Sequence, residues 1–98
     1  MKFATLIKYT DQGIKNIQDT TKRAADFKAQ AEKLGVEITE LLWVTGQYDG
    51  LMIYNSPDIE TATALMLRLS GNGHVTTETL QAFDSSGMEE ILKKTNSQ

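Results

Sequence analysis

The side chains whose type and setting could do chemistry fall in a few places. Tyr48 and Asp49 stand in a turn bracketed by Gly46 and Gly50. A plain hairpin wants glycine there, because glycine adopts φ > 0 without steric cost. It does not want a phenol and a carboxylate together. Such a pair can serve a ligand, Tyr48 stacking on it or hydrogen-bonding it and Asp49 orienting it. The structural alternative is that Asp49 bonds its own turn backbone and Tyr48 packs over the sheet end. Trp43, the single tryptophan, suits a pocket wall, a core or an interface. His74, the single histidine, is a candidate general base or a solvated strand-end residue. Glu78 lies within a run of threonines, where burial would raise its pKa. Lys8 is its neighbour across two strands, forming either an ion pair or a polar spot in a cavity. The candidate ligand-binding set is therefore Trp43, Tyr48, Asp49, Tyr9 and Lys8. The acid–base candidates are His74, Glu78 and Asp49.

Composition narrows the chemistry further. The 98 residues carry a formal net charge of −3, and the cations are scattered among acidic neighbours. Nucleic-acid binding needs clustered cations and is disfavoured. With no cysteine, disulfides, thiolate metal sites and cysteine nucleophiles are excluded. The lone histidine gives no metal-ligand spacing, and no phosphate loop or Ser-His-Asp order is present, so neither metal nor cofactor is expected. The first residues hold two lysines, Lys2 and Lys8, and between them an apolar run too short for a signal-peptide core or a membrane span. A cytoplasmic protein without membrane attachment is expected.

The elements that must position these residues follow from periodicity. Residues 3–9 alternate as a strand with apolar residues on both faces. Thr10-Asp11 opens a helical region with Asp11 as cap, and Asp19-Thr20-Thr21 reads as a break and second cap. Ala24, Phe27, Ala31 and Leu34 then recur at three and four residues, an amphipathic core stripe. Gly35 is placed to end that helix in the left-handed conformation. Residues 36–44 alternate as a second strand, with Ile38, Glu40, Leu42 and Val44 on one face and Leu41 and Trp43 on the other. After the Gly46–Gly50 turn, residues 51–55 form a third strand. Ser56 as cap and Pro57 at the first turn start a helix striped by Ile59, Ala62, Met66 and Leu69 with Leu65 beside them. Residues 74–83 form a Thr-rich fourth strand. A short C-terminal helix follows, with Ser86 and Glu89 as a capping box.

The order βαββαβ predicts one α+β, ferredoxin-like unit over residues 1–98, with an antiparallel sheet in the order 4-1-3-2 and both long helices on one face. The other face would then expose either Phe3, Ile7 and Tyr9 or Ala4 and Leu6. Both choices are apolar, which predicts a two-fold dimer packed sheet to sheet.

Four pieces of sequence carry a resemblance: Tyr9-Thr10-Asp11-Gln12-Gly13-Ile14, Trp43, Gly46-x-Tyr48-Asp49 and Thr77-Glu78-Thr79-Leu80-x-Ala82-Phe83. In this order they resemble the GYD-domain family, placed among the dimeric α/β-barrel proteins. The resemblance spans nearly the whole chain and implies the fold and a homodimer; it implies no established activity. Three functions fit these residues: a binding protein holding a small apolar or aromatic molecule in or at the rim of the dimer cavity, a cofactor-free monooxygenase- or isomerase-like enzyme by fold analogy, and a structural or regulatory dimer.

Overall fold

Residues 1–96 are described by the computed structural model. Strand β1 (Lys2–Tyr9) leads into a short helix α1 (Asp11–Lys15), a 3-10 turn (Ile17–Asp19) and the long helix α2 (Thr20–Lys33). Strands β2 (Glu37–Trp43) and β3 (Gly50–Asn55) follow, then helix α3 (Ile59–Gly71), strand β4 (Val75–Ala82) and helix α4 (Ser85–Thr95). The four strands pair antiparallel in the order β2-β3-β1-β4, the expected topology read from the opposite edge.

The helix stripes bury as their spacing dictates. Phe27 and Ala31 of α2, and Ala62, Leu65 and Met66 of α3, close over Phe3, Met52 and Tyr54 of the sheet. Leu34 and Ile59, at the ends of the two stripes, stay exposed. Inside this layer Thr5 Oγ1 lies 3.1 Å from Tyr54 Oη and 3.0 Å from Thr79 Oγ1. Its polarity is thereby met in a setting where a bare hydroxyl would be costly. The sheet therefore turns Phe3, Thr5 and Ile7 toward the helices. Ala4 and Leu6 take the open face, beside Leu51 and Ile53 of β3 and Leu80 of β4.

Local signals hold with small displacements. Gly35 has φ 78°, and the amide of Val36 reaches back to the Ala31 carbonyl at 3.0 Å, so the left-handed end of α2 is present. The caps lie one or two residues from those expected. Thr10, not Asp11, caps α1; Asp58, not Ser56, caps α3; Asp84, not Ser86, caps α4. Each site offers several capping side chains in a row, and the backbone direction selects among them.

Two departures matter for the site. A β-bulge at Thr39 shifts the β2–β3 register, so that Ile38 faces Tyr54 and Glu40 faces Ile53. The bulge reverses the faces expected for the second half of β2: Leu41 and Trp43 join Ile38 on the helix side, and Glu40 and Leu42 turn to the open face. The stretch between β2 and β3 is also wider than a tight turn. Gly46 alone takes a positive φ, at 122°, whereas Gly50 already lies in β3, buried against Ile7.

Candidate functional site

The wide loop is stitched to β1 by Asp49. Its amide donates to the Ile7 carbonyl at 2.8 Å, and its Oδ2 accepts from the Tyr9 amide at 2.9 Å. The carboxylate thus serves the backbone of β1 and not its own turn. This continues the strand pairing past Gly50 and holds the sheet end open at the level of Tyr9 and Trp43.

A cavity of about 220 Å³ sits at that sheet end, on the helix side. Ile7, Phe27, Leu41 and Leu69 give it an apolar floor, and Trp43, Tyr9, Asp49 and His74 border it. A hydrogen-bonded cluster ties the rim to α2. The indole Nε1 of Trp43 donates to Tyr9 Oη at 3.0 Å and to Thr20 Oγ1 at 3.2 Å, and Tyr9 Oη also bonds Thr20 Oγ1. On the other wall, α1 is fastened to the start of β4: the Thr10 amide donates to the His74 carbonyl at 3.0 Å, and Thr10 Oγ1 to the Gly73 carbonyl at 2.6 Å. This contact fixes the backbone on either side of His74. The ring Nδ1 of His74 is buried without a hydrogen-bond partner.

Arg23 of α2 also lines the cavity. Its Nη1 donates to the Asn16 carbonyl at 2.8 Å, whereas its Nη2 is buried and unpartnered. Sequence reasoning does not single out Arg23. A lone arginine on a charged helix carries no signal until the fold shows which wall it lines.

The residues singled out from sequence therefore separate into two groups. Tyr9, Trp43, Asp49 and His74 converge on the cavity. Tyr48, Lys8 and Glu78 lie on the opposite, open face of the sheet. There the Tyr48 hydroxyl donates to Glu78 Oε2 at 2.7 Å. Lys8 stands opposite Thr76 and Glu78 opposite Leu6, and the two charged groups form no ion pair among the described residues. Among those residues there is also no cluster of three or more His, Cys, Asp or Glu that could hold a metal ion. No helix among them is long and apolar enough to cross a membrane.

The hydrogen bond to Glu78 keeps the proton on Tyr48 and raises its pKa above the ordinary 10.0, with desolvation and the Glu78 charge acting in the same direction. The linkage has a definite sign. A pKa raised on folding favours the folded state below the unfolded pKa, and that contribution is lost as pH rises through the folded value. Carbon NMR of ring-labelled tyrosine should show Tyr48 ionising above the ordinary range, with Glu78→Gln bringing it down. An unchanged titration in Glu78→Gln would mean the contact is absent in solution.

The chain is 28% identical over 92 residues to a Thermus thermophilus protein named "Glutamine synthetase and cystathionine beta-lyase binding protein", covering 93% of this chain and 97% of that one. No solved structure gives a significant match. The model of the GYD domain matches residues 3–92, from the first strand through most of the last helix, and the chain belongs to the GYD domain family.

Proposed function

We propose that this protein is a non-catalytic binding module that holds a small apolar or aromatic molecule in the cavity between the sheet and α2. The observation that carries this reading is the cavity itself: an apolar floor of Ile7, Phe27, Leu41 and Leu69 beneath an aromatic and polar rim, a combination that suits a small-molecule site. The enzyme reading has less support. Glu78 stands outside the cavity, and the Asp49 carboxylate is engaged by the Tyr9 amide, which leaves His74 as a lone candidate base.

Trp43 is a built-in reporter of occupancy, because it borders the cavity and is the single tryptophan. Phenylacetamide, a neutral one-ring compound, should change its emission saturably. Ala24 also lines the cavity, so Ala24→Leu should fill part of it and weaken that binding by about ten-fold or more, as lost apolar burial and a direct clash require, while the fold survives. Equal binding by the variant would place the compound elsewhere.

A second surface supports assembly. The open sheet face carries Ala4, Leu6, Leu42, Leu51, Ile53 and Leu80, with Lys8 on β1 and Glu40 and Glu78 on the two edge strands, β2 and β4. This mix of a central apolar strip and opposite charges is self-complementary under a two-fold axis, and we propose a homodimer joined there. Met88 and Leu92 of α4, and Phe83 before it, are also exposed. The radius of gyration is 15.2 Å, where a compact chain of this length has about 13 Å; the excess fits a projecting arm. The name of the Thermus relative supports partner enzymes as a further use of such surfaces. Leu6→Lys, a charge in the middle of the open face, should halve the mass seen by sedimentation at micromolar concentration. A wild-type monomer would end the dimer reading.

A further inference from the structure

We infer that the molecule held in the helix-side cavity carries a carboxylate, which docks on Arg23 and His74 while a single ring lies against Phe27 and Trp43. This inference rests on the proposed binding role of that cavity.

Arg23 is the starting point. An arginine on a surface helix is ordinarily solvated. Here the side chain is half-buried, and the guanidinium is used at one end only: Nη1 meets the Asn16 carbonyl, and Nη2 is buried with no acceptor. A guanidinium is always charged and can only donate. A buried donor without an acceptor costs free energy, and more so when it is charged. Nothing among the described residues supplies the missing acceptor, and Arg23 makes no ion pair there. The Asp49 carboxylate accepts from the Tyr9 amide, and Asp26, which also borders the cavity, is exposed.

His74 makes the second, independent observation. It comes from the start of β4, across the cavity from α2, and its Nδ1 is likewise buried and unpartnered. An imidazole nitrogen donates or accepts according to its tautomer, and beside an anion it donates. Two unsatisfied nitrogens thus belong to residues that line one cavity from different elements, just beneath a lining that mixes apolar and polar side chains. A planar carboxylate is the group that fits both, since it matches the guanidinium fork and still has lone pairs for the imidazole. The available space sets the size of the rest. At about 220 Å³ the cavity exceeds the roughly 150 Å³ void that accepts benzene. One ring with a short acidic arm suits it.

Phenylacetate and phenylacetamide share ring, arm and shape and differ in charge. Each is titrated into the full chain, with nitrogen–proton correlation spectra following the Trp43 indole N–H and the amides of Ala24 and Val75. Phenylacetate should bind about ten-fold tighter, because it brings a negative charge and a second accepting oxygen where the amide has an NH2 that cannot accept. Arg23→Gln should erase that preference, bringing phenylacetate down to the affinity of phenylacetamide for the same variant. An amide that binds as well as or better than the acid would overturn the carboxylate inference and leave the cavity reading standing. Failure of both compounds at millimolar concentration would overturn both. Shifts confined to Leu6, Leu51 and Glu78 would move the site to the open face and also overturn it. Should Arg23→Gln not fold, the wild-type preference and its loss in His74→Gln decide the matter.

Discussion

Phe27→Ala is expected to destabilise the protein by about 3–5 kcal/mol, the range for deleting a core aromatic ring. Phe27 is 7% exposed and packs in the cluster with Phe3, Met52 and Tyr54. It is also part of the floor of the helix-side cavity. The void left by the ring would join space that is already open, so the neighbours cannot collapse to fill it. That places the cost toward the upper end of the range, a large share of the roughly 5–15 kcal/mol that holds a domain of this kind together. Urea unfolding should show a lower midpoint with an unchanged slope. A loss under about 1 kcal/mol, the ordinary range for surface positions, would take Phe27 out of the core.

Gly13→Ala should also destabilise, by about 2 kcal/mol net, although helix propensity argues the reverse. Alanine in a helix interior is favoured over glycine by about 1 kcal/mol. At this position the added Cβ would stand 2.1 Å from the His74 carbonyl oxygen, with the next contact, Tyr9 Cδ1, at 3.0 Å. The first neighbour is backbone, and it is already held by the Thr10 amide at 3.0 Å. Relief therefore requires α1 to lift off the start of β4, breaking the Thr10 contacts to His74 and Gly73. Overpacking of this kind costs about 3 kcal/mol, which outweighs the propensity gain. Because Tyr9 and His74 both border the cavity, the surviving folded fraction should also bind ring compounds more weakly. A thermal melt equal to or above wild type would show that α1 does not pack on His74 as described.

The hairpin loop shows how a strong local signal can be right in kind and wrong in detail. Asp49-Gly50 marks a chain reversal, and the chain does reverse there. Yet Gly46 supplies the positive φ, and Gly50 serves close approach to Ile7. Asp49 reads locally as a turn-shaping residue, and its carboxylate instead caps the Tyr9 amide on another strand. That bond joins residues forty positions apart, so no local pattern could announce it.

What the sequence by itself determined is the order of elements and the burial of the helix stripes. The three- and four-residue spacing of Ala24, Phe27 and Ala31, and of Ala62, Met66 and Leu69, turns one face of each helix toward the core. The order βαββαβ, once both helices share a face, leaves one sheet topology. Gly35 could end α2 because its conformation is set by chain geometry within one turn. Periodicity leaves open which face of each strand meets those helices, because β1 is apolar on both. Packing decided it, through the volume of Phe3 and Tyr54, whose rings stack 5.6 Å apart under the helices. The bulge at Thr39 was equally a tertiary choice. A strand keeps its alternation in the sequence whether or not its partner skips a residue, so the register with β3 alone put Trp43 on the same face as Ile38, the helix side, where alternation sets the two on opposite faces. That single shift brings Trp43 beside Tyr9 and Arg23 and separates it from Tyr48, and with it the cavity acquires its rim.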